Sequence, residues 1–199
     1  MMKLAGILTV LVVMLAAPMA LADVYTYQPT PSDLDDLDHA KAYEWGIDVS
    51  DIPDDEAIAG ASLLFYDIRN WTTESNDLYV TLLDTAAVGV TEYADSQNST
   101  DYFAGQGLAL VHYEDLSTTA QDLTYTFDAS EIATLATYAA DGVIGLGIDP
   151  DCHFYNSGVE LQIGTTPGAE DLTAPIPEPA AGSILLGAVG MLLARRKRQ

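Results

Sequence analysis

The chain reads as a mostly β protein: an antiparallel β-sandwich with one short helix, set between an N-terminal signal peptide and a C-terminal transmembrane helix. Three observations carry this. Short apolar or alternating runs recur through the middle of the chain, clusters of Asp, Asn, Gly, Ser and Pro stand between them, and a longer apolar segment with basic residues beside it lies at each end.

The expected strands are Val24 to Tyr27, Ala42 to Val49, Ala57 to Ile68, Leu78 to Asp84, Leu108 to Tyr113, Leu123 to Phe127, Val143 to Ile148 and Val159 to Ile163. Turn chemistry at this spacing favours a two-sheet sandwich over a solenoid or propeller, for which the sequence has no repeat. One segment reads as a helix. Asp128 can cap it, Glu131 stands where a capping box needs it, Ile132, Leu135 and Tyr138 share a face, and Gly142 ends it. This helix is expected to bridge two strands across one end of the sandwich.

The order of segments gives residues 1–22 as signal peptide, 23–164 as the acidic β-sandwich domain, 165–176 as a polar linker and 177–199 as a sorting signal. Met1-Met2-Lys3 is a positive n-region, Leu4 to Ala17 an apolar h-region, and Ala20-Leu21-Ala22 an A-x-A site, so cleavage falls before Asp23. The only cysteine, Cys152, is far from that point, so the sequence has no lipoprotein signal and no internal disulfide. Burial as a small hydrophobe is the favoured role for Cys152.

At the other end Pro177-Glu178-Pro179 precedes an apolar run, residues 180–194, and then Arg195-Arg196-Lys197-Arg198. As a helix the run is about 22 Å long, short of a hydrocarbon core of about 30 Å. The basic cluster snorkels to the headgroups and stays on the cytoplasmic side, which leaves everything before Pro177 outside the cytoplasm. Triplet, short apolar helix and basic stop, in this order, resemble the PEP-CTERM sorting signal of bacterial exported proteins. The resemblance implies export by Sec-type machinery, temporary retention in the inner membrane, and processing near Pro177, Glu178 and Pro179 by an exosortase-like membrane protein. Delivery to the cell surface or extracellular matrix follows from it. A single-span anchor with Pro-Glu-Pro as linker is the alternative. Ahead of the tail, the short strands with Leu37-Asp38-His39, Tyr43-Glu44-Trp45-Gly46, Asn70-Trp71 and residues 149–154 resemble the jelly-roll cargo domains often found before such signals.

Charge narrows the partners. Residues 23–176 hold 29 acidic residues against two basic ones, Lys41 and Arg69. Such a field repels nucleic acid and anionic lipid and attracts divalent cations or cationic polymers, although it also serves simply as a solvated surface.

Two groups of aspartates are expected Ca²⁺ candidates, because oxygen donors in a short segment suit that ion. In the first, Asp33, Asp35, Asp36 and Asp38, EF-hand spacing fails, so a noncanonical Ca²⁺ loop competes with a solvated turn. In the second, Asp149 and Asp151 could form an irregular clamp between strands. His39, His112, Cys152 and His153 are the soft ligands, and their spacing fits no zinc motif, so His39 and His153 read as hydrogen-bonding groups near the sandwich edge.

No nucleophile elbow, zinc-protease motif or phosphate loop is present, and two cations offer little support for an anionic transition state, so the expected role is non-enzymatic. A glycosidase needs only two carboxylates and stays open as a lesser alternative. For carbohydrate binding the candidates are Trp71, then Tyr102 and Phe103, because rings stack on a pyranose face. A plug at the open end of the sandwich is nevertheless the favoured role for Trp71, since aromatic anchors are commoner than aromatic ligands, while Trp45, in an alternating run, reads as core. The expected function is therefore an exported surface or matrix protein, with a Ca²⁺-assisted module for extracellular polysaccharide as the alternative.

Overall fold

The computed structural model describes residues 23–95 and 100–168. The signal-peptide site at Ala20 and Ala22, the apolar run 180–194, and the sorting residues Pro177, Glu178, Pro179, Arg195, Arg196, Lys197 and Arg198 lie outside the described residues. Among the described residues no helix is long and apolar enough to cross a membrane.

Ten strands form: β1 (Val24–Tyr27), β2 (Lys41–Asp48), β3 (Glu56–Asn70), β4 (Asp77–Leu83), β5 (Gly89–Ala94), β6 (Leu108–Glu114), β7 (Gln121–Thr126), β8 (Val143–Pro150), β9 (Phe154–Tyr155) and β10 (Gly158–Pro167). They make two antiparallel sheets. One has the order β1-β10-β3-β7 with β9 paired to β3, and the other runs β5-β2-β8-β4-β6. All ten belong to one compact unit that ends at Pro167.

A single apolar cluster draws on both sheets: Leu63, Phe65, Leu161 and Ile163 from the first, and Tyr43, Trp45, Val80, Leu82, Ile144, Leu146 and Ile148 from the second. This shared core makes the architecture consistent with a β-sandwich. Alternation explains which residues point inward. In β8, Ile144, Leu146 and Ile148 are core, so Gly145, Gly147 and Asp149 face away from it.

All eight expected strands form, with ends displaced by a few residues. β5 and β9 were not expected. β5 pairs along the sheet edge with β2 and is half-exposed, so its sequence has no continuous apolar face, and β9 is two residues long. The helix α1 (Ala129–Tyr138) has the expected capping box, with Asp128 accepting from the Ser130 and Glu131 amides and Glu131 accepting from the Asp128 amide at 2.7 Å. A short 3-10 turn follows, and Gly142 closes it at φ 89°, a conformation that costs other residues more. α1 leads from β7 in one sheet to β8 in the other.

Candidate functional site

Two places on the surface gather chemistry, and each joins segments far apart in sequence. The first lies at the end of β3. Trp71 follows that strand directly and is 54% exposed, so it does not plug the end of the sandwich. Its ring centroid is 6.3 Å from that of His39 and 6.1 Å from that of His153, and the two histidine rings are 6.3 Å apart. Tyr155 sits edge-on to His153 at 4.9 Å, and the Arg69 guanidinium lies 5.1 Å from the Tyr155 ring centre. Asp38, His39 and His153 bring one ligand atom each within 4.8 Å of one another.

Backbone bonds hold this patch in place. The Trp71 amide donates to the His153 carbonyl at 3.1 Å, and the Phe154 amide to the Leu37 carbonyl at 3.2 Å. Asn156 ties the same two loops together by donating its side-chain amide to the Asp33 carbonyl at 2.9 Å. Buried Leu34 and Leu37 pin the loop from below. The result is a mixed surface of flat rings, imidazole donors, a carboxylate and a guanidinium, which suits stacking combined with hydroxyl hydrogen bonding.

The second place is the outer face of the β5-β2-β8-β4-β6 sheet. Phe103 packs its ring over Gly147, where an added Cβ would come within 2.6 Å of the ring, and it is 1% exposed between Ala42 and Leu83. That placement corrects the expectation for Phe103: its ring has no free face for a sugar. Tyr102 is half-buried and stacks on Tyr93 with centroids 5.4 Å apart. Its backbone amide donates to Asp149 Oδ2 at 2.6 Å.

Asp149 is completely buried, and its other oxygen, Oδ1, has no hydrogen-bond partner. Burial, opposed by the Tyr102 amide and reinforced by the charges of Asp95 and Asp101, pushes its carboxyl up to about 6. Asp151 is pushed up to about 7, by burial first and then by Asp149, Asp95 and Asp77, with His112 acting in the opposite sense. Beside them His112 Nε2 meets Asp77 Oδ1 at 2.6 Å and stacks on Tyr79, with centroids 4.1 Å apart. Asp77, His112 and Glu114 are a second set whose ligand atoms lie within 4.8 Å of one another.

The loop aspartates are placed differently. Asp33 accepts from the Asp35 amide at 3.2 Å, Asp38 accepts from the Ala40 amide at 3.0 Å, and Asp35 is exposed. Sequence reasoning found Trp71, Asp149 and Asp151 but missed Tyr155, Arg69, Asp77, Asp95 and Asp101 as their companions. It also found no metal-ligand spacing for His39 and His153, because a pair brought together by two loops leaves no periodic signal. The buried states of Trp45 and Cys152 agree with expectation. No family model matches the chain, and no curated protein matches it in sequence.

Proposed function

We propose that this chain is an exported, non-enzymatic surface or matrix protein that holds polysaccharide through the Trp71 patch. The observation that carries the binding half is the exposure of Trp71, 54%, amid His39, His153 and Tyr155 on loops tied by backbone hydrogen bonds. A large ring left in water beside imidazoles and a carboxylate is poor packing but a good stacking surface. A neutral glycan also suits a domain whose acidic field repels nucleic acid and anionic lipid.

The cargo fold in this reading is a jelly-roll sandwich. Strand order supports it: β1, β3, β7 and β10 lie in one sheet and β2, β4, β6 and β8 in the other, so the chain changes sheet at every step of that series except from β4 to β6, which pair in one sheet, with β5 and β9 as additions. The delivery half rests on the sequence of residues 1–22 and 177–199. Sec-type machinery exports the chain, residues 180–194 hold it in the inner membrane, and an exosortase-like enzyme processes it at Pro177-Glu178-Pro179.

Binding is tested on an array of neutral and acidic matrix polysaccharides with the wild type and Trp71→Ala. The expected result is binding to at least one glycan that weakens by about tenfold or more in the variant. Absence of binding across the panel, or binding untouched by the substitution, removes the carbohydrate reading. Delivery is tested separately by intact mass and location of the wild type and Glu178→Ala in a host carrying the sorting machinery. Loss of both terminal segments in the wild type alone supports it, and an intact tail in both proteins makes the segment a permanent anchor.

A further inference from the structure

On the outer face of the sheet formed by β2, β4 and β8, we infer a Ca²⁺ site with Asp149 and Asp151 as its principal ligands and Asp95 and Asp101 beside them. The inference is independent of the carbohydrate reading, which concerns a different set of residues.

Unpartnered buried atoms point to the ion. Among the described residues, the buried side-chain N and O atoms without a hydrogen-bond partner are Asn70 Oδ1, Asn156 Oδ1, Asp95 Oδ2, Asp149 Oδ1 and both oxygens of Asp151. The carboxylate oxygens in that set come from Asp95, Asp149 and Asp151, whose charges act on one another. A buried carboxylate oxygen with neither donor nor cation is costly, and native structures give the large majority of such atoms a protein partner, an ordered water or an ion. Asp149 is the sharpest case, being 0% exposed with one oxygen on the Tyr102 amide and the other on nothing.

No protein cation fills the role. The two basic residues of the described chain are engaged elsewhere, Lys41 with Glu92 at 2.7 Å and Arg69 over Tyr155. The partnerless carboxylate atoms are all oxygens, which selects a hard cation, and their placement at the end of β8 and in loops beside it suits the irregular coordination of Ca²⁺ better than the strict octahedron of Mg²⁺. Waters would complete the six to eight ligands that Ca²⁺ takes. Phe103, lodged over Gly147, fixes Tyr102 and therefore one oxygen of Asp149 before any ion arrives.

Full-length protein stripped with EDTA is titrated with CaCl₂, MgCl₂ and ZnCl₂ by calorimetry, and its thermal unfolding is followed with each. The expected result is one Ca²⁺ per chain above any weak background and a rise in Tm of about 5 °C or more at about 1 mM CaCl₂. Asp149→Asn should lower the Ca²⁺ affinity by about tenfold or more and abolish most of that rise. Asp151→Asn, which alters a less buried group, should do the same and covers the case in which the first variant does not fold. Asp33→Asn and Asp35→Asn should leave both readouts unchanged. An identical Tm with Ca²⁺ and with EDTA overturns the site, as does weak multiple binding indifferent to Asp149 and Asp151. Preference for Zn²⁺ that disappears in His112→Ala also overturns it, by assigning the ion to Asp77, His112 and Glu114.

Discussion

Asp33 to Asp38 and Asp149 to Asp151 are the two densest aspartate segments considered for Ca²⁺, and the fold treats them in opposite ways. In the first, Asp33 and Asp38 accept hydrogen bonds from amides two residues on, at 3.2 and 3.0 Å, and Asp36 accepts from the Asn156 amide at 3.4 Å. The backbone runs through four successive residues with positive φ, Leu34 to Leu37, between 40° and 61°. Buried Leu34 and Leu37 anchor that turn while Asp35 stays in water. In the second segment the strand carries Asp149 under Tyr102 and Phe103, and oxygens are left without partners. Closeness in sequence therefore says little about a cation site. What decides is whether the fold spends the carboxylates on its own amides or buries them with oxygens left unpaired.

The largest effect expected on this contrast comes from removing what buries Asp149. Phe103→Ala empties a site that is 1% exposed and should cost about 3–5 kcal/mol in urea unfolding. Because Phe103 also positions Tyr102, the same variant should lose the Ca²⁺-dependent part of its stability, making Asp149 behave like an aspartate of the loop. Should Phe103→Ala unfold at the wild-type urea concentration, the cap over Gly147 contributes no packing.

A pH titration of stability in EDTA separates the segments next. The carboxyls of Asp149 and Asp151 stand at about 6 and about 7 in the folded chain, above the ordinary aspartate value near 4. The folded state thus binds more protons than the unfolded one between those values. Their contribution is most favourable below pH about 4 and is lost as pH rises through about 6 and then 7. Burial sets both shifts first; Asp95 and Asp101 add to that of Asp149, and Asp149, Asp95 and Asp77 to that of Asp151, while the Tyr102 amide opposes the first and His112 the second. Asp128, held low chiefly by its bond to Ser130, contributes in the opposite sense and loses stability as pH falls. The difference between wild type and Asp149→Asn isolates the cluster: the variant should gain on the wild type from pH 4 to 7, and Ca²⁺ should erase that gain. A flat difference across that range contradicts the uncompensated burial of Asp149.

The contrast also marks what the sequence could convey. Strand positions were legible because alternation and turn residues are local, and the helix because Asp128 and Glu131 form a capping box within four residues. β5 escaped notice because an edge strand paired on one side needs no apolar run. At the sites, Trp71, Asp149 and Asp151 were legible as residue types in suggestive places. Their companions were not. Asp95 and Asp101 act on Asp149 from far earlier in the chain, and His39 reaches His153 through the Leu37 to Phe154 backbone bond, neither of which leaves a spacing to read. Phe103 misled for a related reason. A ring between Tyr102 and Ala104 in a polar stretch resembles a surface aromatic until Gly147, on a strand far along the chain, supplies the hollow beneath it.

The smallest effect expected concerns the loop and has the opposite sign. Asp35 holds φ 53° and ψ 43°, left-handed values that cost a residue with a Cβ about 1–2 kcal/mol, and its side chain is exposed. Glycine takes that conformation without the steric cost but loses more chain entropy on folding, about 0.5–1 kcal/mol. The balance favours Asp35→Gly by up to about 1 kcal/mol, read as a higher urea midpoint at unchanged slope. The same change removes one negative charge from the segment that the sequence offered as a Ca²⁺ loop. If Asp33 to Asp38 held the ion, the variant would lose Ca²⁺-dependent stability while gaining backbone relief. If Asp149 and Asp151 hold it, the gain appears undiminished with Ca²⁺ and with EDTA, because the loop aspartates bond backbone amides or stand in water and leave no buried oxygen in need of an ion.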